Sequence, residues 1–309
     1  MVAETAVSVD DLIAPLFVAN VERPVEVATM PGVVQHNFTS LVAEAERLAG
    51  LGVPALILFG VEEERRKDAV GSAAWDPDGV VGRALTELRA FLGDSMVLIA
   101  DLCLDEYTDH GHCGVVRPDG SVDNDPTLDL YGRVAITQSR CGADLVAPSG
   151  MMDGQVGAVR AALDGAGFTD VGVLAYAAKY ASALYGPFRE AVDVRIAGGG
   201  DRRSYQQDPP NRREAVVEAR LDVEEGADIV MVKPALTYLD VIAAVRDAVE
   251  VPVAAYHVSG EYAMVQAAAS LGYLDGMAVA AEQVGAIKRA GADMVITYFA
   301  AELAEALNG

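Results

Sequence analysis

The chain has 309 residues, of which 52% are hydrophobic, and its formal net charge is −23 at pH 7. This acidity disfavours a nucleic acid as partner, because its phosphates would be repelled. No apolar run approaches the roughly 18 residues of a membrane span, and the N-terminus lacks the basic start and long apolar segment of a signal peptide. Three cysteines cannot form a disulfide framework, so we expect a thiol-bearing cytoplasmic protein.

Short apolar runs follow one another along the chain and predict eight strands. Most are nearly continuous, as expected for parallel strands that are covered on both faces. Amphipathic segments typical of helices lie between them. In chain order the predicted strands are 12–18, 54–60, 96–104, 143–150, 171–179, 228–234, 251–260 and 293–300.

This alternation predicts an α/β fold, a (β/α)8 TIM barrel that takes up the whole chain, 1–309, as a single domain. A local repeat supports the prediction. The segments "CGADLVAPS", "EGADIVMVKP" and "AGADMVITYF" each place a glycine at a helix end, then Ala-Asp, then a strand. A doubly wound open sheet would give the same pattern, but no glycine-rich phosphate-binding motif follows the first strands. We therefore favour the barrel.

The least regular region is 194–214, which contains three glycines, two prolines and five arginines. Loops of this length inside compact domains are usually active-site lids or disordered segments. We expect this region to be a long active-site lid. Its arginines and that of "YGPFRE" offer guanidinium groups suited to a substrate carboxylate. A solvated basic loop on an acidic protein would explain the same residues.

Functional groups of such barrels gather at the C-terminal ends of the strands. Lys179 and Lys233 end the fifth and sixth predicted strands. A lysine buried in an apolar strand is costly while charged, and a second cation nearby lowers its pKa further. Either amine could therefore attack a ketone and form a Schiff base. Lysines that reach solvent or pair with carboxylates remain the alternative.

The segment "DLCLDEYTDHGHCG", residues 101–114, has the ligand pattern C-x-D-x7-C. Two thiolates and a carboxylate can bind Zn2+, and three protein ligands with one open position are typical of a catalytic site. Two buried thiols beside a turn would give the same pattern. Cys141, at a predicted helix end, is expected to pack rather than to bind metal.

Seven segments together resemble the porphobilinogen synthase family, also called 5-aminolevulinate dehydratase. They are "DLCLDEYTDHGHCG", "APSGMMDGQVGAVR", "YAAKYASALYGPFREA", "GDRRSYQ", "NRREA", "MVKPALTYLD" and "VSGEYAM". The likeness runs from residue 12 to the C-terminus in the same order. It implies a barrel that condenses two molecules of 5-aminolevulinate to porphobilinogen, with loss of two waters, early in tetrapyrrole synthesis.

The resemblance also implies roles for the matched residues. Lys233 would form the Schiff base with the substrate destined for the propionate side, and Lys179 would engage the acetate-side substrate. Ser259 and Tyr298 would hold the carboxylate of the first substrate. The carboxylate of the second would be held by Arg189, Arg202 and Gln206, under the lid. The supporting groups for proton transfer and orientation would be Asp101, Ser149, Asp153 and Tyr176.

The metal residues depart from the family pattern. Zinc-dependent members carry three cysteines, whereas here Cys103 and Cys113 flank Asp105. We predict Zn2+ bound by these three residues, more weakly than by three thiolates, because a harder ligand replaces a soft one. Alternatively, Asp105 contacts a water or a substrate amine and the site is often empty. Glu218 matches a carboxylate that binds an allosteric Mg2+ in many members, although an exposed helix glutamate is the alternative.

Family chains usually carry an arginine-rich arm ahead of the first strand, and this chain begins where relatives already approach the barrel. We expect a homo-oligomer in which the family's octamer is weakened. Two other functions stay open. A class I aldolase-like lyase would need only one essential lysine, and a non-catalytic metal-binding barrel would need neither.

Overall fold

The computed structural model describes residues 2–197 and 200–309. Eight parallel strands form the centre of the molecule, and all eight predicted strands are confirmed. We number them in chain order: β1 Leu12–Ala19, β2 Ala55–Val61, β3 Val97–Leu102, β4 Leu145–Pro148, β5 Gly172–Lys179, β6 Ile229–Lys233, β7 Val253–His257 and β8 Met294–Thr297. Each strand pairs with the next, and β8 pairs with β1. The sheet is therefore a closed barrel, as the sequence predicted.

Helices connect the strands and cover the outside of the barrel. They are α1 Phe38–Gly50, α2 Val80–Leu92, α3 Asn124–Arg140, α4 Gln155–Gly165, α5 Gly186–Ala191, α6 Arg213–Glu224, α7 Leu239–Arg246, α8 Ser259–Ser270, α9 Gly276–Arg289 and α10 Ala300–Asn308. Two antiparallel strand pairs lie outside the ring, Val25–Glu26 with Val34–His36 and Val115–Val116 with Val122–Asp123. Within the described residues, none of these helices is long and apolar enough to cross a membrane.

The Gly-Ala-Asp repeat lies at the N-terminal end of the barrel. Its three glycines have φ between 107° and 116° and follow the ends of α3, α6 and α9, conformations that favour glycine. Each following aspartate accepts a hydrogen bond from the backbone N–H of a neighbouring strand, at 2.8 Å in all three cases. The acceptors are Asp144, Asp228 and Asp293. The repeat is thus a structural device at the end opposite to the strand ends that carry function.

The pairing of β5 with β6 contains a β-bulge. Val230 and Val232 on β6 pair with residues on β5 that are three positions apart, so β5 holds one extra residue. Beyond the bulge, Lys179 is the direct partner of Lys233. Partners on adjacent strands project to the same face of a sheet. Without the extra residue Lys233 would face Ala178, and the two lysines would project to opposite faces.

Some predicted bounds are longer than the observed strands. The predicted strand 251–260 ends at His257, because Ser259 already begins α8. The predicted lid, 194–214, ends where α6 begins at Arg213. It includes residues 198 and 199, which lie outside the described residues.

Candidate active site

One enclosed pocket lies at the C-terminal ends of the barrel strands, and Lys179 and Lys233 both line it. The cavity that remains between the side chains is about 20 Å³, which is room for about one water molecule. Five other predicted site residues line the same pocket: Asp101, Asp105, Ser149, Arg189 and Arg202. The structure therefore brings together seven residues that come from separate parts of the sequence.

Lys233 is 4% exposed and is surrounded by aromatic rings. Its Nζ lies 4.2 Å from the ring centroid of Tyr256, 4.9 Å from that of Phe188 and 5.0 Å from that of Tyr176. Burial, and then the charge of Lys179, lower the pKa of Lys233 to about 7. This amine is therefore partly neutral at neutral pH and can act as a nucleophile.

Like Lys233, Lys179 lies near the ring of Tyr176, but it also has a polar partner. Its Nζ lies 5.4 Å from the centroid of that ring and donates a hydrogen bond of 2.6 Å to the carbonyl oxygen of Ser149. The Ser149 hydroxyl in turn donates to Asp101 Oδ2 at 3.1 Å. The two amines are therefore close together in different environments.

Asp101 and Tyr176 stand beside the two lysines and are both buried. Burial raises the pKa of Asp101 to about 6, although Lys179 and Lys233 act in the opposite direction. Burial, and then the charge of Asp101, raise the pKa of Tyr176 well above its usual value. Asp101 can therefore exchange a proton near neutral pH, while the tyrosine stays protonated.

Asp105 and Arg202 form a buried ion pair that the sequence did not predict. The Arg202 Nη2 lies 2.7 Å from Asp105 Oδ2 and donates to the carbonyl oxygen of Gly111 at 2.8 Å. Burial alone would raise the pKa of Asp105, but Arg202 and Lys179 hold it well below its usual range. The aspartate is therefore a carboxylate, and its partner is a guanidinium that was predicted to bind substrate.

Four residues of the pocket were missed by the sequence reasoning. Phe59, Tyr185 and Phe188 supply apolar walls, and Glu106 lies buried beside the two aspartates. Burial, then the charges of Asp105 and Asp101, raise the pKa of Glu106 well above its usual value. Phe59 could have been found, because it precedes the glycine near the C-terminal end of the apolar β2.

Cys103, Asp105 and Cys113 form a possible metal site. Their ligand atoms all lie within 4.8 Å of one another, and all three residues are buried. In the described part of the chain no other three His, Cys, Asp or Glu side chains come as close. Thiolate, thiolate and carboxylate is a donor set that suits a divalent metal. The residues fit a metal, although the carboxylate is shared with Arg202.

Three predicted substrate residues are buried outside the lining of this pocket. The Ser259 hydroxyl accepts a hydrogen bond from the N–H of Phe188 at 3.0 Å. The hydroxyl of Tyr298 lies 3.1 Å from that of Tyr256, whose ring faces Lys233. Gln206 follows Arg202 by one helical turn, and its N–H donates to the Arg202 carbonyl oxygen.

The structure corrects the expected position of Asp153. Asp153 is exposed and does not line the lysine pocket. It lies in the turn after β4, between Met151 and Gly154, which have φ of 61° and 74°. It lines a separate acidic cavity of about 450 Å³, together with Glu218. Glu214 and Asp222 lie in the same cavity.

The acidic side chains of this second cavity perturb one another. Burial, and then the charges of Asp153 and Glu214, raise the pKa of Glu218. Burial, then Glu225 and Glu218, raise the pKa of Asp222 to about 8. Grouped acids of this kind gain from a bound cation, because it offsets their mutual repulsion.

Comparisons with known proteins agree over the whole chain. A family model described as "Delta-aminolevulinic acid dehydratase" matches residues 1–306. The delta-aminolevulinic acid dehydratase of Mycobacterium tuberculosis (strain CDC 1551 / Oshkosh) is 54% identical over 305 residues, which cover 98% of this chain and 92% of that protein. That of Streptomyces coelicolor is 53% identical over 309 residues, or 100% of this chain and 93% of the relative.

A solved structure also matches. The delta-aminolevulinic acid dehydratase (porphobilinogen synthase) of Toxoplasma gondii ME49, in complex with the reaction product porphobilinogen, superimposes with a TM-score of 0.97 at 44% identity. The match covers 98% of this chain and 86% of that chain. Since the family model, the curated relatives and the solved structure all match from end to end, the chain belongs to the delta-aminolevulinic acid dehydratase family.

Proposed function

We propose that this chain is a hydro-lyase of tetrapyrrole biosynthesis that condenses two molecules of 5-aminolevulinate to porphobilinogen, with loss of two waters. The observation that carries the proposal is the pair Lys179 and Lys233, cross-strand partners whose amines lie 5.4 and 5.0 Å from the same Tyr176 ring. The reaction must distinguish two identical ketones by position. Two amines in different surroundings meet that need.

Lys233 is proposed to bind the first substrate covalently. Its neutral amine attacks the ketone carbon, a carbon–nitrogen bond forms, and the ketone oxygen leaves as water. The resulting imine withdraws electrons and acidifies the neighbouring carbon. The lowered pKa of Lys233, about 7, supports this role.

Lys179 and its neighbours are proposed to handle the second substrate. The hydrogen bond that Lys179 donates to the carbonyl oxygen of Ser149 fixes the direction of its amine. Asp101, with a pKa of about 6, is placed to accept and return protons. The buried Tyr176 ring would keep water away from both amines.

Substrate carboxylates are proposed to bind at two places. Ser259 and Tyr298 would hold that of the first substrate, and Arg189, Arg202 and Gln206 that of the second. Arg202 already binds a carboxylate, that of Asp105, which supports this use of its guanidinium. A cavity of about 20 Å³ cannot admit substrate, so the segment 194–214 is proposed to act as a lid that opens.

We propose Zn2+ as the metal of the Cys103, Asp105 and Cys113 cluster. When bound there, it would polarise the carbonyl of the acetate-side substrate. Two thiolates favour zinc over harder ions. Because Asp105 is engaged by Arg202 at 2.7 Å, we expect binding to be weaker than by three thiolates.

Glu218 is proposed to contribute to a Mg2+ site in the acidic cavity. The neighbouring Asp153, Glu214 and Asp222 support this assignment. Mg2+ keeps several of its waters and needs few protein ligands, so the looser spacing of these groups is compatible with it.

We further propose a cytoplasmic homo-oligomer. The free state of all three cysteines supports a reducing compartment. Large exposed apolar side chains within and just after α8 support association, among them Met264, Leu271 and Tyr273. That the octamer of the family is weakened in this chain stays a prediction.

The test is reductive trapping with borohydride in the presence of 5-aminolevulinate, followed by peptide mapping. We expect a stable adduct at Lys233 and formation of porphobilinogen in the untrapped reaction. If neither lysine formed an adduct, the proposal would be contradicted. The Lys179→Ala variant separates it from an aldolase-like lyase, because only the latter would keep its carbon–carbon bond chemistry.

A further inference from the structure

Glu261 is a buried acid that the mechanism above does not use. It is the third residue of α8, it is 0% exposed, and it lies between the C-terminal ends of β6 and β7. A buried carboxylate is costly unless hydrogen bonds compensate it. Its hydrogen-bond partners therefore indicate what holds it there.

The two carboxylate oxygens of Glu261 bind two different backbone segments. Oε1 accepts the N–H of Leu236 at 2.7 Å, and Oε2 accepts the N–H of Val258 at 2.7 Å. Leu236 begins the short helical turn Leu236–Tyr238 after β6, three residues beyond Lys233. Val258 directly precedes Ser259. One side chain thus joins the segments that follow two adjacent strands.

Helix capping explains only one of these bonds. A glutamate at the third position of a helix commonly accepts the N–H of the N-cap residue, here Val258. The bond to Leu236 is not part of a cap, because Leu236 belongs to a different segment. This second bond fixes the start of α8 relative to the end of β6.

The same two segments are also held by another part of the chain. Tyr185 donates to the carbonyl oxygen of Lys233 at 3.1 Å, and the Ser259 hydroxyl accepts the N–H of Phe188. Residues 185–188 therefore contact both segments, and Glu261 joins the same two segments through separate hydrogen bonds. Two independent sets of hydrogen bonds thus fix the spacing between Lys233 and Ser259.

We propose that Glu261 is a positioning residue that sets the distance between the imine-forming Lys233 and the carboxylate-binding Ser259. The inference rests on the proposed function, because it uses the roles assigned there to these two residues. The ketone of 5-aminolevulinate must reach the amine while its carboxylate is bound. A small error in the spacing would slow imine formation without preventing it, and misplacements of about 1 Å can cost about 100-fold in rate.

The test compares Glu261→Gln with Asp293→Asn. Glutamine keeps the length of the side chain, but its NH2 group takes the place of one carboxylate oxygen. That group cannot accept a hydrogen bond, so one of the two backbone N–H groups is left unpaired. Asp293 precedes β8, beside the N-terminal end of β7, and accepts the backbone N–H of Val253, which an amide oxygen can still accept. Its other partner, Arg246 at 3.4 Å, is an exposed ion pair and contributes little. Both variants make the same carboxylate-to-amide change beside one strand.

The measurement is the rate of borohydride-trapped labelling at Lys233, with 5-aminolevulinate below the enzyme concentration. We expect Glu261→Gln to lower the initial rate by roughly 10- to 100-fold, with the final labelled fraction unchanged. Asp293→Asn should stay within about 2-fold of wild type, since its hydrogen bond survives. The proposal would be overturned if Glu261→Gln lowered both the final labelled fraction and the melting temperature, because a merely structural role predicts that result.

A second variant keeps the test valid if Glu261→Gln does not fold. Glu261→Asp retains the charge and the helix cap, but it is one methylene too short to reach both N–H groups. Its labelling should also be slow, and a wild-type rate would refute the positioning role. Failure of the wild-type enzyme to label Lys233 would instead refute the proposed function, so the two failures are distinguishable.

Discussion

The pKa of Lys233 is lowered by two separate causes, burial and the charge of the neighbouring Lys179. Replacement of Lys179 by Met removes the second cause and leaves the first. Because the remaining carboxylates Asp101 and Asp105 act to raise it, the pKa of Lys233 should increase from about 7. A larger fraction of the amine is then protonated at pH 7, and protonated amines are not nucleophiles.

We expect the pH profile of labelling at Lys233 to move to higher pH in Lys179→Met, with the largest loss of rate below pH 7. Labelling rates measured from about pH 6 to 9 would test this, a range that brackets the pKa of about 7. Lys288→Met is a suitable control, because this lysine contacts Asp11 and the Asp293 carbonyl at the other end of the barrel. Superimposable profiles for Lys179→Met and wild type would show that Lys179 does not tune Lys233.

Asp105 has two potential partners, a metal and Arg202. In Asp105→Cys the three ligands become thiols and the ion pair with Arg202 is lost. We expect zinc affinity to rise by roughly 10-fold or more, the size of effect common for changes around metal sites. Competition between metal-free protein and a chelating dye measures this affinity independently of turnover.

The control for the zinc measurement is Cys141→Ser, which alters a buried thiol at the end of α3 that lies outside the metal cluster. Its zinc affinity should equal that of wild type. Equal affinities of wild type and Asp105→Cys would mean that the aspartate already serves as a full ligand, contrary to its engagement by Arg202.

At the scale of elements, the start of α8 packs against the segment before α5. A Cβ atom added to Gly260 would lie 2.5 Å from the carbonyl oxygen and 2.8 Å from the Cα of Leu184. Both are backbone atoms that cannot rotate away. Gly260→Ala must therefore separate the two segments, and with them Ser259 from Phe188.

We expect Gly260→Ala to lower the free energy of unfolding by about 1–3 kcal/mol, as for other overpacked sites, and to reduce kcat/KM. Gly285→Ala is the matched control, because Gly285 lies within α9 and its added Cβ meets no atom within 4 Å. That variant should be more stable by about 0.5–1 kcal/mol. Denaturant unfolding and steady-state kinetics check both, and unchanged kinetics in Gly260→Ala would refute the packing argument.

The elements differ in how far they follow from sequence. Continuous apolar runs predicted all eight strands, because buried parallel strands need no polar face. The predicted strand ends were less accurate. The predicted strand 251–260 runs past Ser259, where the hydrogen bonds of α8 replace those of the strand. The bulge between β5 and β6 could not be predicted, since register depends on a neighbour more than fifty residues away in the chain.

The whole molecule combines an acidic surface with a basic pocket. Its formal charge is −23, yet Lys179, Lys233, Arg189 and Arg202 all line one small cavity. Asp101, Asp105 and Glu106 line the same cavity, and Asp105 is paired with Arg202. The positive charge that would attract the carboxylate of a substrate against the overall field therefore comes from Arg189 and the two lysines. Composition gives the net charge, but only the fold shows that these four basic side chains come together in one pocket.

The motifs predicted which residues form the candidate site, whereas their grouping required the structure. The resemblance named both lysines and both arginines. It did not predict the Asp105–Arg202 pair, because an aspartate in a metal-binding pattern is expected to contact metal. It also grouped Asp153 with the lysines, whereas this residue lines the acidic cavity.

Because side chains alternate between the two faces of a strand, the direction of Lys179 depends on whether the number of residues before it in β5 is odd or even. A strand that gained or lost one residue before Lys179 would turn this side chain toward the surrounding helices, while the barrel could still close. Two such changes together would restore it. Point substitution can therefore modify this enzyme gradually, but single-residue insertions and deletions in that strand would be all-or-none events.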